Sequence, residues 1–357
     1  MLSLEQLLQK IFREKFIVIC PYHLGISNSR TMKLSIVIIC LNEEKHIRRC
    51  LDAIFRGDHG DLKVEVIIVD GGSSDRTKAI ARQFEVRILD SPRGIPRQRN
   101  VGGYAATGDL LAYVDADVEI LGDWFTAVRF QFSDNQYKII GCAPYLPDGV
   151  AWIAKAYSIH RGNPNLIGSP IENREERYLA TASLVMGRKV FTDLGGFRED
   201  LAVDEDTDFI LRARDRKTPL IFEPNLAHIH HGEPGSVTEF FQRMKWGANY
   251  SAWFKSIRER EWSKIVRMQY VYGMLFAICI FSILVSLVLN LLLPLNGVII
   301  AALTLLTGLI IGPALRLTIK IRSVKFFFKL CAMYVVLGSA SAAAMLGFGS
   351  NKSKRWR

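Results

Sequence analysis

From position 33 to 117 short apolar runs alternate with amphipathic stretches. Residues 34–40, 64–69, 86–89 and 110–114 are nearly unbroken apolar runs of strand length, while 43–55, 75–84 and 96–107 read as amphipathic helices between them. A strand that is apolar on both faces is covered on both faces, so this rhythm predicts a parallel sheet with helices on either side. Ligands of such sheets sit beyond the carboxyl ends of the strands. The residues that follow each strand are therefore the ones to inspect for chemistry.

The pattern changes after Arg267. Residues 268–315 carry no charged side chain, and neither do residues 330–351. About 20 apolar residues cross a bilayer core, so the first run predicts two helices hinged near Pro294 and Asn296, and the second predicts one more. Small residues in the last run, among them Gly338, Ala340, Ala344 and Gly347, suit close helix packing. Arg258, Arg260, Lys264 and Arg267 precede the first helix, and five basic residues from Arg316 to Lys329 join the second to the third. The positive-inside rule then puts the N-terminal domain of a multi-pass cell-membrane protein in the cytoplasm. Three full crossings leave Lys352, Lys354, Arg355 and Arg357 outside, against the same rule. Two crossings with a re-entrant or interfacial third segment thus stand beside three true ones.

Leu4, Leu7, Leu8, Ile11 and Phe12 recur at helical spacing, and Glu5 interrupts what a signal peptide keeps basic. This favours an amphipathic helix on the membrane surface over a cleaved signal; an appendage upstream of a start at Met32 fits equally. The expected division is an N-terminal amphipathic extension (1–32), a soluble domain (33–250), an amphipathic juxtamembrane helix (251–267), a transmembrane region of two to three helices (268–351) and a basic tail (352–357).

Charge sharpens this picture. The 357 residues hold 46 Lys and Arg against 35 Asp and Glu, but 13 of the basic and only 2 of the acidic residues lie from Arg258 onward. The soluble part is electrically neutral, which argues against nucleic-acid binding, since phosphate neutralisation needs surplus cations on the folded domain. Six scattered cysteines without paired spacing indicate neither a disulfide frame nor a zinc site.

Beyond the first strand come Asn42, Glu43 and Glu44, beyond the second Asp70 and the glycines of 71–72, and beyond the fourth Asp115 and Asp117. Two carboxylates one residue apart at a strand end can converge on a hard divalent cation completed by phosphate oxygens. Taken alone, the pair fits solvated or helix-capping acids as well. No G-x-G-x-x-G follows the first strand and no P-loop motif occurs, which disfavours those nucleotide sites.

The ordered set of residues 35–44, 67–77, 94–102, 106–109 and 113–117, continued by 195–199 and 204–209, resembles the inverting family 2 glycosyltransferases with a GT-A fold, an α/β, Rossmann-like mixed sheet. The likeness covers about residues 33–250. It implies that Asn42, Glu43 and Asp70 contact the base and ribose of a nucleotide-sugar donor. Asp115 and Asp117 would bind ribose and the Mg²⁺ or Mn²⁺ bridging the diphosphate, with Asp117 the more direct ligand.

Arg93, Arg97 and Arg99 could reach phosphate oxygens or form a solvated basic face. In the acidic run 204–208 the resemblance makes Asp206 the general base, with Glu205 next; helix-dipole charge and an Asp208 to Arg212 pair account for some of these acids without chemistry. Of His228, His230 and His231, motif position favours His231 as an added metal ligand or diphosphate contact. Gln242, Arg243, Lys245 and Trp246 are similar to the Gln-x-x-Arg-Trp signature at the acceptor mouth of polysaccharide synthases. Lys245 stands where arginine is expected and cannot make its planar contact, which puts processive synthesis in doubt; Trp246 and Trp253 also suit an interfacial belt.

The expectation is a membrane-anchored hexosyltransferase of cell-envelope glycan biosynthesis, acting on a lipid-linked or membrane-proximal acceptor among membrane lipids. The rivals are transfer onto a polyprenyl phosphate and a non-catalytic, nucleotide-binding membrane scaffold.

Overall fold

A computed structural model describes residues 32–161, 163–167, 179, 181–201, 204–247, 264–289 and 296–345. The expected extension over 1–31, the juxtamembrane segment up to residue 263 with Trp253, and the basic tail lie outside these residues.

The expected strands form as β1 (Lys33–Cys40), β2 (Lys63–Asp70), β3 (Arg87–Asp90) and β4 (Leu110–Val114). Helices α1 (Ile47–Arg56), α2 (Thr77–Ala81) and α3 (Ile95–Ala105) alternate with them. Strands β1, β2, β3 and β4 run parallel in the spatial order β3-β2-β1-β4. Alternation along the strands splits the core into two layers. Ile36 and Ile38 face α1, while Val37 and Val69 face the opposite layer.

Two helices are shorter at their starts than periodicity suggests. Asn42 takes a left-handed φ of 58°, and the segment after it is tied to the neighbouring loop. The Glu43 N–H donates to Thr77 Oγ1 at 2.8 Å and the Glu44 N–H to Asp75 Oδ2 at 3.1 Å. Backbone groups that would open the helices at 43 and 75 are used instead to lock two strand-end loops together.

The second half of the domain reverses direction. After β5 (Val118–Ile120) and α4 (Trp124–Phe132) come β6 (Ile139–Gly141), α5 (Trp152–His160), α6 (Pro164–Ile167) and β7 (Ser183–Gly187). Strand β7 pairs antiparallel with β4 and with β6, which pairs parallel with β8 (Leu220–Phe222). Among the described residues the result is a seven-stranded mixed sheet. Helices α7 (Arg188–Leu194) and α8 (Glu205–Asp215) bury Phe191 and Phe209 in the second core layer. A separate ribbon pairs β5 antiparallel with β9 (His228–His230).

Helix α3 lies so close to the sheet that only glycine fits at one contact. A methyl at Gly102 would stand 2.3 Å from Val37 Cγ1 and 3.0 Å from Val69 Cγ2. Gly102→Ala is expected to lower stability by about 1–3 kcal/mol through overpacking. The thermal unfolding midpoint in detergent is the readout, and an unchanged midpoint would contradict the close approach.

Helices α9 (Val237–Gly247), α10 (Lys264–Leu289), α11 (Asn296–Ile321) and α12 (Phe327–Met345) complete the described chain. Two stretches, Gly297–Ile321 and Val324–Ala344, are long and apolar enough to cross a membrane, and Val271–Leu287 in α10 is a shorter apolar stretch. Leu330, Met333, Tyr334 and Leu337 of α12 pack with Ile153, Ala156 and Ile159 of α5 and with Phe240 of α9. Helix α10 rests its Phe276 against Gly338 of α12, where a Cβ would come within 2.4 Å of the ring. By contrast Phe281, Leu284, Ile300 and Ile319 point outward and are exposed.

Candidate active site

The loop after β4 carries Asp115 and Asp117, and the β5–β9 ribbon brings a third ligand group to them. Val118 pairs with His230 across the ribbon. One ligand atom from each of Asp115, Asp117 and His230 lies within 4.8 Å of the others, all three side chains being half-buried. His230 Nε2 is 3.5 Å from Asp117 Oδ1, and its Nδ1 is 3.3 Å from Glu233 Oε1.

His231 is not brought to this cluster. Adjacent strand residues point to opposite sides, and the His231 ring lies 2.7 Å from Glu119 Oε2 through Nε2 and 3.0 Å from the Arg49 guanidinium through Nδ1. His228 is fully buried beside the Leu226 carbonyl oxygen, and burial pushes its pKa down to about 4.

The cluster fits a hard or borderline divalent cation. Its donors are two carboxylates and an imidazole, and the electrostatics call for positive charge. Burial pushes Asp115 above the usual carboxylate range, the neighbouring Asp117 adds to this, and Arg99 pulls the other way. A cation held between the carboxylates removes that penalty.

Space around Asp117 is tight. A Cβ on Gly232 would fall 1.7 Å from Asp117 Oδ2. Gly232→Ala should displace that carboxylate and weaken Mn²⁺ binding about tenfold or more, as loss of a supporting contact commonly does. Titration of Mn²⁺ by electron paramagnetic resonance checks this, and wild-type affinity would show that the carboxylate is not confined there.

Arg99 links this cluster to the acidic run. Its side chain is 5% exposed, pairs closely with Glu205 Oε1 and lies 3.3 Å from Asp115 Oδ1. Burial, with Asp206 adding to it, pushes the Glu205 carboxyl up to about 7 although Arg99 draws it down. The close guanidinium contact occupies Glu205. Asp208 is similarly occupied, 2.8 Å from Arg212 Nε.

Asp206 differs. It is half-buried in the first turn of α8, and among the described residues its carboxylate has no ion-pair partner, Oδ1 accepting only the Thr207 N–H at 2.7 Å. Asp204 before it sits in a left-handed conformation with φ 61°. Burial and the charge of Asp206 push Asp204 up to about 7.

On the other flank, Asp70 ends β2 fully buried, its Oδ2 accepting the N–H groups of Gly72 and Ser73, both at 2.9 Å. Burial raises its pKa, but these hydrogen bonds and the Lys78 ammonium outweigh it and hold the carboxylate low. Asn42 accepts the Ser74 N–H at 2.8 Å. Asn42, Glu43 and Asp70 thus share one loop pair at the carboxyl edge of the sheet.

Of the three arginines near residue 94, Arg93 is exposed, Arg97 is exposed and pairs with Glu199 at 3.0 Å, and only Arg99 enters the cluster. Helix α9 holds Gln242, which is exposed, and Lys245, whose ammonium lies over the Phe241 ring; the Trp246 side chain lies outside the described residues. Arg243 between them reaches the site loop, donating to the Gly232 carbonyl at 3.1 Å. In the Gln-x-x-Arg-Trp likeness Arg243 falls on an unspecified position, and Glu233 has no role in the sequence beyond its closeness to the histidines.

Comparison with known proteins bears on the family and the fold. Residues 35–195 match the model of Glycosyl transferase family 2. The chain is 29% identical over 212 residues to Glycosyltransferase AglE of Haloferax volcanii, covering 56% of this chain and 67% of that one. It is 26% identical over 219 residues to the uncharacterized glycosyltransferase EpsJ of Bacillus subtilis, covering 58% of this chain and 63% of that one. The chain thus spans about two thirds of the length of these relatives. In fold it is similar to the mannosyltransferase PcManGT from Pyrobaculum calidifontis, solved with GDP-Man and Mn²⁺, with a TM-score of 0.58 and 18% identity over 96% of this chain and 95% of that one. Over residues 35–195 the mixed sheet of GT-A type and its strand-end acids thus coincide with a match to the glycosyl transferase family 2 domain.

Proposed function

We propose that the protein is a membrane-anchored inverting glycosyltransferase that moves a sugar from a nucleotide-sugar to a hydroxyl of a lipid-linked glycan. The observation that carries this reading is the meeting of Asp115, Asp117 and His230 at the carboxyl edge of the sheet, joined through Arg99 to the helix that begins with Glu205 and Asp206.

In this reading Asp70, Asn42 and Glu43 receive the base and ribose. Asp117, Asp115 and His230 would hold a divalent cation, Mg²⁺ or Mn²⁺, which when bound supplies positive charge against the leaving diphosphate. Asp206 takes the proton of the acceptor hydroxyl as its oxygen bonds to the anomeric carbon, and the bond from that carbon to the diphosphate breaks. The nucleoside diphosphate departs with the bonding pair. Glu205 and Arg99 position this machinery, because their charges are already matched to each other and to Asp115. The location of Gln242, Lys245 and Trp246 on α9, whose Arg243 touches the site loop, supports an acceptor approaching from that side.

Membrane anchoring is supported by the outward apolar side chains of α10 and α11 and by the packing of α12 on α5 and α9. The basic residues at the α11–α12 junction favour a cytoplasmic catalytic domain. Confining enzyme and lipid-linked acceptor to one surface raises their effective concentration.

The test is a donor panel of UDP- and GDP-sugars, GDP-mannose included, supplied to membranes holding the full chain. Nucleoside diphosphate release that stops with EDTA and returns with Mn²⁺ is the expected result. Release unaffected by chelation, or none from any donor despite nucleotide binding, would overturn the assignment.

A further inference from the structure

No aspartate or glutamate occurs after Glu261, yet Arg316, Lys320, Arg322, Lys325 and Lys329 cluster at the junction of α11 and α12. The structure gathers this charge further. A short 3-10 turn, Val324–Phe326, connects the helices, and Arg322 just before it adopts a left-handed φ of 51°. The turn is closed by hydrogen bonds from the Ser323 N–H to the Thr318 carbonyl and from the Phe326 N–H to the Ser323 carbonyl.

Lys155 of α5, from the distant soluble domain, comes to the same place. Its ammonium and that of Lys329 each lie 5.4 Å from the centre of the Phe326 ring. The negative face of an aromatic ring offsets part of this repulsion, but among the described residues no carboxylate pairs with Lys155, Lys325 or Lys329. An anion from another molecule can supply the counter-charge that these three lysines lack among the described residues. Its setting is apolar, since Val324 and Phe328 beside these cations are 77% and 76% exposed. Bulky apolar groups flanked by lysines suit the boundary between headgroups and acyl chains.

We propose that the α11–α12 turn, together with Lys155, is a binding surface for the phosphate of an anionic phospholipid headgroup. The turn carries the apolar wedge, and Lys155 ties the soluble domain to the same lipid. Lipid composition then bears on how the domain rests against the bilayer. The proposal rests on the membrane reading above, and the two are tested separately.

Resistance of the full chain to extraction from membranes by alkaline carbonate tests anchoring; release would sink both. For the headgroup site, the full-length protein in zwitterionic detergent is titrated calorimetrically with short-chain phosphatidylglycerol, phosphatidylcholine and inorganic phosphate.

The expected result is binding of phosphatidylglycerol well above the other two probes. K155Q/K329Q should weaken it by roughly 30-fold, the effect of two interfacial charges, while K155R/K329R retains it. Equal binding of the two lipids would overturn the proposal, as would tight binding of inorganic phosphate or a K155Q/K329Q protein that folds normally and binds like wild type.

Discussion

Asp117→Ala should remove transfer almost completely, by about 10³-fold or more in the rate of nucleoside diphosphate release, a loss typical of removing a stabiliser of developing negative charge. The physical ground is specific to this cleft. Asp117 supplies one of three ligand atoms that fall within 4.8 Å of one another. Without it, Asp115 and His230 are left as two donors, one of them drawn toward Arg99. Mn²⁺ affinity should fall in parallel with turnover.

Stability should behave differently. Asp117 adds like charge beside the half-buried Asp115 and raises its pKa, but it also faces His230 at 3.5 Å, so its removal relieves one repulsion and loses one attraction in the metal-free protein. The unfolding midpoint measured in EDTA is expected to change little. An inactive variant with a collapsed midpoint would trace the loss to folding, and an active one would remove Asp117 from the metal assignment.

Asp206→Asn should lower kcat by about 10²–10⁴-fold, the usual contribution of a positioned general base, with donor and Mn²⁺ affinity near wild type. Asparagine keeps the shape and cannot take the proton. The structure favours this residue over Glu205 because Glu205 is held by Arg99, whereas among the described residues Asp206 has no ion-pair partner. Single-turnover kinetics with saturating donor separate the chemical step from binding. Full activity in the variant would point to an acceptor that is already ionised, such as a polyprenyl phosphate, because an ionised oxygen needs no base. Intact donor binding with no turnover by the wild-type protein would favour a nucleotide-binding scaffold.

The two substitutions report on different halves of the site, and Arg99 joins them. Through one buried guanidinium the metal-side loop and the N-terminus of α8 share their electrostatics. Residues in one such network are not expected to have additive effects. An Asp117, Asp206 double variant should therefore be little worse than the poorer single one.

Local pattern was enough for the first half of the fold. Nearly unbroken apolar runs identified β1, β2, β3 and β4 to within a residue or two at their ends, because central strands such as β1 and β4, buried on both faces, leave that mark in composition, while the part-exposed β3 left it only through Ile88 and Leu89. The same holds for the strand-end acids: Asp70 and Asp115 directly follow their apolar runs, and Asp117 stands two residues further on. The apolar helices α10, α11 and α12 were legible because 20 or so uncharged residues admit few other structures.

What pairing over long separations decides was not legible. The choice between His230 and His231 depends on which strand face meets β5, and that is set by the pairing of Val118 with His230 across more than a hundred residues. Arg97 and Arg99 look alike in sequence, yet about half a turn of helix sends one to solvent and the other into the cluster. The helix starts at 43 and 75 gave way because the N–H groups of Glu43 and Glu44 bond to Thr77 and Asp75 in the neighbouring loop, and the N–H of Arg76 bonds back to Glu44. Amino-acid order by itself determined the layers, the acids and the apolar helices, since each depends on neighbours within a few positions. Tertiary structure alone decided which side chains share a cleft, because strand register and helix rotation are fixed by packing between segments far apart in the chain.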